Sequence, residues 1–281
     1  MLLSHHFEDE LFSSILTFNR GVNLNTPKKI KLVLAFLFCI AGILDGYGQT
    51  YLGFKAGVNA TQISFNSEVY KKFYDSEIVP GITGGIVFLM ENRDKYGFYT
   101  EFLYSIKRKS VVSHANDYES NKANYHFIDV PAMFRVKFKE KRFNWFLQFG
   151  PEISYWLGGT GAFKVYQPNR DVFTTYEYKI HFGNEQNTFE YMNVEDANRL
   201  QLGLAFGGGF IWDLNSANYL SLDMRFSLGN TFMGGYESGS IPNSGLVDNF
   251  EYTNNVLSVS AVYYFDIQEK FRLSKNKYGN K

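Results

Sequence analysis

The chain has 281 residues, with 28 Lys+Arg against 28 Asp+Glu, so its formal net charge is zero. That balance gives no electrostatic case for nucleic acid or for an acidic membrane surface. Aromatic residues make up 18%, with 28 Phe and 20 Tyr, which suits strands and membrane-interface girdles better than an ordinary soluble domain.

Residues 1–48 read as a leader. Basic "PKKIK" (27–31) precedes apolar "LVLAFLFCIAGIL" (32–44), which has signal-peptide length and is too short to span a bilayer comfortably. Gly46 and Gly48 supply small residues ahead of a cleavage before Gln49. Residues 27–48 are therefore expected to be a signal peptide, and residues 1–26, which resemble no part of one, a mis-assigned start. Cys39, the single cysteine, follows bulky Phe38, which does not suit a lipoprotein site. A chain cleaved at 49 has no disulfide, thiolate nucleophile or Cys-based metal site.

From residue 50 onward the dominant period is two. Eight segments follow. The first, 51–62, sets Leu52, Phe54, Ala56, Val58 and Ala60 against Lys55 and Asn59. Next come 80–90 and 96–107, the latter setting Tyr96, Phe98, Phe102, Tyr104 and Ile106 against Glu101 and Lys107. In 125–138, "YHFIDVPAMFRVKF", Ile128, Val130, Ala132, Phe134, Val136 and Phe138 oppose Asp129, Arg135 and Lys137. The fifth, 143–157, sets Trp145, Leu147, Phe149, Ile153 and Tyr155 against Gln148 and Glu152. Segment 199–212 is glycine-rich; 219–229 alternates Leu220, Leu222, Met224, Phe226 and Leu228 with Ser221, Asp223, Arg225 and Ser227. The eighth is 255–266.

The connections alternate between long (63–79, 108–124, 158–198, 230–254) and short (91–95, 139–142, 213–218). That is the pattern of an all-β, eight-stranded antiparallel transmembrane β-barrel with short periplasmic turns and long outer loops. The apolar sets would face outer-membrane lipid. A soluble lipocalin-like barrel, with the faces reversed, fits less well. Aromatic residues stand at strand ends, at Tyr96, Tyr104, Phe143 and Tyr155, where girdles are needed.

The inward set then carries Lys55, Lys107, Arg135, Lys137 and Arg225 against Glu101, Asp129, Glu152 and Asp223. Eight strands leave an interior just wide enough for side chains, and an unpaired buried charge is costly. The expectation is an internal salt-bridge network; the alternative is a polar channel or proton path.

Chemical motifs are sparse. "GLAFGGGF" (203–210) lies in a strand pattern rather than before a helix, so its glycines fit strand curvature or close packing better than a phosphate site. His114, His126 and His181 lack metal-ligand spacing. Ser105, Ser110, Ser113 and His114 cluster near one strand end without nucleophile-and-base logic. No cofactor, metal or nucleic-acid partner is expected. In 158–198, "VFTTYEYKIHF" alternates and is read as extending a hairpin beyond the membrane, either to contact a protein or glycan or simply to cap the barrel. The basic tail 267–281 is expected in the periplasm.

"GFKAGVNATQISF", "FIDVPAMFRVKF" and "FLQFGPEISYWLGG" resemble motifs of the PorT-like outer-membrane β-barrel family of Bacteroidetes type. The matching residues are Gly53, Lys55, Gly57 and Asn59; Ile128, Pro131 and Arg135; and Gly150, Pro151, Ser154 and Tyr155. The resemblance implies an integral outer-membrane barrel over 49–266. It also implies a role, for some members, in protein secretion through the type IX system. The combined expectation is an exported, non-enzymatic barrel with a structural or accessory role and a secretion-machinery or surface-protein partner. The alternatives are a binding barrel acting through 158–198, or a small-solute channel.

Overall fold

The computed structural model describes residues 49–92, 95–113, 119–140, 144–167, 171–183, 186–215 and 218–267. The leader with Cys39, His114 and the tail beyond Ile267 lie outside the described residues.

The chain runs β1 (Gln49–Phe65), α1 (Glu68–Phe73), β2 (Tyr74–Ser76), β3 (Val79–Asn92), β4 (Tyr96–Ser113), β5 (Ser120–Lys139), β6 (Asn144–Gln167) and β7 (Val172–Phe182). It continues β8 (Tyr191–Val194), β9 (Leu200–Asp213), β10 (Asn218–Gly229), β11 (Gly239–Ile241), β12 (Leu246–Asp248) and β13 (Tyr252–Asp266). Eight of these close a ring: β1 pairs β3 and β13, β4 and β5 follow β3, β6 pairs β5 and β9, and β10 joins β9 to β13. Every pairing in the ring is antiparallel. The expected eight-stranded barrel is therefore present, and closure removes its sheet edges.

The pleat decides what faces out. Phe54, Val58, Ile86, Phe102, Leu147, Phe149, Leu204 and Met224 are exposed, a continuous apolar belt suited to lipid. The alternate residues are buried, including Lys55, Glu101, Asp129 and Arg135. The charges of 125–138 thus point into the lumen.

The loop assignments need correction. Segment 108–124 is mostly strand, because β4 runs to Ser113 and β5 begins at Ser120. Likewise β6 continues ten residues past 157, to Gln167, and pairs with β7 as a hairpin above the barrel. β1 (17 residues), β4 (18), β5 (20) and β6 (24) all run longer than the sequence segments that mark them. Beyond the hairpin, β8, β11 and β12 extend the same sheet. The outer wall is tall at β4–β7 and low at β9–β10.

One irregularity sits at that transition. The β5–β6 register shifts between His126 and Phe127, where Phe127 faces Trp156 and His126 faces Gly158. Leu157 is the extra residue of this bulge, and Gly158 has φ 147°, a conformation that favours glycine. Past it the outward face of β6 passes from odd to even positions.

Candidate functional site

The lumen divides into three layers. The central one is ionic. Lys107 Nζ stands 2.8 Å from Asp129 and 3.9 Å from Glu152. Glu152 lies 4.0 Å from Arg225, and Arg225 pairs with Glu101. Glu101 also accepts from Lys55 at 2.5 Å, and Lys55 stands 3.6 Å from Asp223. Asp223 in turn lies 3.8 Å from Arg135. Eight side chains from five strands thus form one unbroken series, with four positive and four negative charges. Seven of them, Lys55, Glu101, Asp129, Arg135, Glu152, Asp223 and Arg225, are sequence candidates for a lumen network, and Lys107 belongs to the same inward set of the sequence pattern. The eighth candidate, Lys137, stands apart, 3.3 Å from Glu91, a residue the sequence reading left in a turn.

Polar neighbours add hydrogen bonds to the ion pairs. Ser154 donates to Asp129 at 2.5 Å, Ser227 to Glu152 at 2.8 Å and Ser221 to Asp223 at 2.5 Å. Tyr99 donates to Glu101. Arg135 donates to Gln148 Oε1 from both Nε (3.0 Å) and Nη2 (2.8 Å). Its guanidinium is sandwiched between the rings of Tyr99 (4.1 Å) and Phe146 (3.9 Å), a geometry that suits the planar arginine head and not lysine. Gly209 makes room for this stack: a Cβ there would come within 2.7 Å of Phe146. Gly209 is thus a packing device.

The two flanking layers are apolar and aromatic, which the sequence reading missed. Below the charges, Tyr51, Tyr219, Tyr264, Val87, Leu89 and Ile211 close the periplasmic end. Tyr219 stacks on Tyr264 at 4.3 Å and meets Tyr51 edge-on at 5.0 Å. Above them, Trp156 contacts Tyr125, Phe250 and Phe182 at 5.4, 5.6 and 4.9 Å. Met192, Met233 and Ile241 pack onto this layer from the outer segments.

A second ionic site fastens the cap. Lys109 Nζ lies 2.6 and 2.7 Å from the two oxygens of Asp248, in β12. Asn121 donates to Asp248 at 2.8 Å and accepts from Tyr178 at 2.7 Å. The ammonium sits 4.8 Å from the Tyr252 ring and 5.3 Å from Phe250. This level is outside the hydrocarbon core, because the outward neighbours Arg108, Lys122 and Asn124 are polar and exposed. Burial lowers the Lys109 pKa below the ordinary lysine value, with Asp248 opposing. Burial raises the hydroxyls of Tyr70, Tyr178 and Tyr252, and nearby Asp248 adds to the rise.

The remaining candidates do not converge. Ser105 points into the lumen beside Thr83 (2.9 Å), while Ser110 donates outward to Glu77 (2.6 Å). His126 meets the Tyr104 hydroxyl at 2.5 Å on the outer wall, and His181 packs against Tyr191. Among the described residues no group of three or more His, Cys, Asp or Glu side chains is placed to hold a metal ion.

Comparison with solved structures finds outer-membrane proteins similar to this chain. OprG from Pseudomonas aeruginosa is 10% identical, with a TM-score of 0.43 over 79% of this chain and 98% of that one. Outer membrane protein W of E. coli is 12% identical, with a TM-score of 0.36 over 79% and 100%. Neisserial surface protein A is 11% identical, with a TM-score of 0.35 over 78% and 97%. No curated protein sequence matches the chain. The family assignment rests on none of these structures. It rests on the family model described as "Outer membrane protein beta-barrel domain", which matches residues 48–233: the chain belongs to that family and is an integral protein of the outer membrane.

Proposed function

We propose that this chain is a sealed, non-enzymatic outer-membrane barrel with a structural or accessory role, acting through its outer cap and periplasmic ends in protein secretion of the type IX kind. The observation that carries this reading is the layering of the lumen. A balanced ion series enclosed between two aromatic layers is a filling, and it leaves the mouths of the barrel as the working surfaces. It weighs against the small-solute channel.

The PorT-like resemblance supports the secretion role by family likeness. Its residues Lys55, Asn59, Arg135 and Ser154 are buried in the lumen, so the motif speaks for the barrel interior and leaves the partner open. In this reading, residues 27–48 direct export and the basic tail 267–281 lies in the periplasm, within reach of secretion machinery. A second reading is favoured by the β6–β7 hairpin, where Val172 and Phe173 are exposed: capture of a surface partner or ligand.

The test is the secretome of a deletion strain compared with its parent. Loss of type IX cargo, with other outer-membrane proteins unchanged, supports the first reading. An unchanged secretome retires it and leaves the hairpin reading. N-terminal sequencing of the mature chain at Gln49 tests the leader.

A further inference from the structure

A groove of about 940 Å³ lies along the outer wall of β4–β7. Its geometry follows from the register. One row across the wall is Arg108, Asn124, Thr160 and Lys179. The row above is Ser110, Lys122, Ala162 and Glu177. Small residues on β6 form the floor, and long charged side chains on β4–β5 and on β7 form the two walls. The β6 bulge at Leu157 creates this arrangement, because it turns Thr160 and Ala162 outward.

The height of the groove identifies what meets it. The row beneath holds Ile106 and His126, with His126 bonded to Tyr104, on the aromatic rim of the lipid-facing belt. Two residues along a strand rise about 7 Å. The groove floor therefore opens at the level of the outer-leaflet headgroups, continuous with the surface that lipid already covers.

Its chemistry is equally specific. Arg108, Lys122 and Lys179 are exposed, and among the described residues none of them is ion-paired, although Glu177 and Glu190 line the same groove. Unpaired cations fit phosphate or carboxylate groups. Asn124, Thr160 and the two glutamates offer donors and acceptors for sugar hydroxyls. A phospholipid head carries a single phosphate and few hydroxyls, so it fills fewer of these positions than a sugar-bearing head does.

We propose that this groove binds the anionic, sugar-bearing head of an outer-leaflet glycolipid, with Arg108 and Lys122 on its acidic groups and Asn124, Thr160 and Glu177 on its hydroxyls. The assignment concerns the outer wall and stands whether or not the chain serves secretion.

The experiment uses the full mature protein, folded in detergent and checked for its heat-dependent gel shift. Binding of purified lipopolysaccharide is measured by native mass spectrometry, with phosphatidylglycerol and inorganic phosphate as competitors. The paired variant Arg108→Ala/Lys122→Ala removes charge. The variant Ala162→Trp fills the floor and removes no charge. The expected result is at least a fivefold loss of bound lipopolysaccharide in each, with the gel shift retained. Unchanged binding in both variants overturns the proposal. So does loss in the charge variant alone, which means diffuse attraction, or equal displacement by phosphatidylglycerol or phosphate, which means that the sugar is not read.

Discussion

Lys109 and Asp248 are joined by two short bonds, of 2.6 and 2.7 Å, although 139 positions separate them in the chain. This pair couples the tall wall of the barrel to the segment that folds over its mouth. Breaking one partner of a buried pair costs about 3–5 kcal/mol, whereas replacing both by apolar groups is often neutral. Asp248→Asn should therefore loosen the cap strongly, and Lys109→Met/Asp248→Leu should largely restore it. Hydrogen exchange of residues 239–252 checks this; equal loosening in single and double variants would show that the pair is not the fastener.

The cap should also respond to alkali. The hydroxyls of Tyr70, Tyr178 and Tyr252 are raised by burial. A raised group contributes stability that is fully present below its unfolded value, about 10 for tyrosine, and is lost as pH rises beyond it. Lys109 is lowered and acts with opposite sign, favouring closure as pH rises toward about 10.5. Three tyrosines against one lysine give net loosening above about pH 10. Limited proteolysis of the intact protein across pH 8–11.5 (about) measures this; a cap equally resistant throughout contradicts it.

The ring itself was legible because lipid on one side and ions on the other enforce alternation at every crossing. Residues such as Leu222, Asp223, Met224 and Arg225 leave one choice of face. Above the hydrocarbon core that enforcement ends. Arg108 and Lys122 face water while Lys109 and Asn121 face the interior, so both faces are polar and β4 and β5 read as loop. In β6 the bulge at Leu157 shifts the outward parity, and a reading by twos stops there. Lumen pairings such as Lys55 with Glu101, 46 positions apart, depend on shear that sequence does not display. The inward aromatics Tyr99, Phe146 and Trp156 were hidden, because an aromatic residue fits a lipid face as readily as a packed lumen.

Glu101 is the hub of the central layer. It accepts from Lys55, Tyr99 and Arg225. Glu101→Gln removes one charge and leaves two cations short of a partner, at a cost of about 3–5 kcal/mol. The temperature at which the folded gel band disappears should fall clearly. The exposed pair Lys71–Glu68 on α1 (side chains 45% and 79% exposed) supplies the control, since Lys71→Ala should leave that temperature unchanged. A Glu101→Gln protein as heat-resistant as its parent would mean that the series contributes nothing net.

The sealing of the lumen makes a prediction of its own. In a planar bilayer the purified protein should show no resolved channel openings. Two seals in series must both fail before ions pass. Tyr264→Ala thins the periplasmic layer, where Tyr219 stacks on Tyr264. Trp156→Ala thins the outer layer, where Trp156 joins Tyr125, Phe250 and Phe182. Each removes a large side chain from a packed site and should destabilise the barrel by about 3–5 kcal/mol, so folding must be confirmed by the gel shift first. Either variant alone should stay silent, because the opposite layer remains. The double variant, if folded, should pass small ions in brief events. Steady conductance by the unaltered protein would overturn the sealed-barrel reading and restore the channel; conductance by one single variant would place the whole seal in that layer.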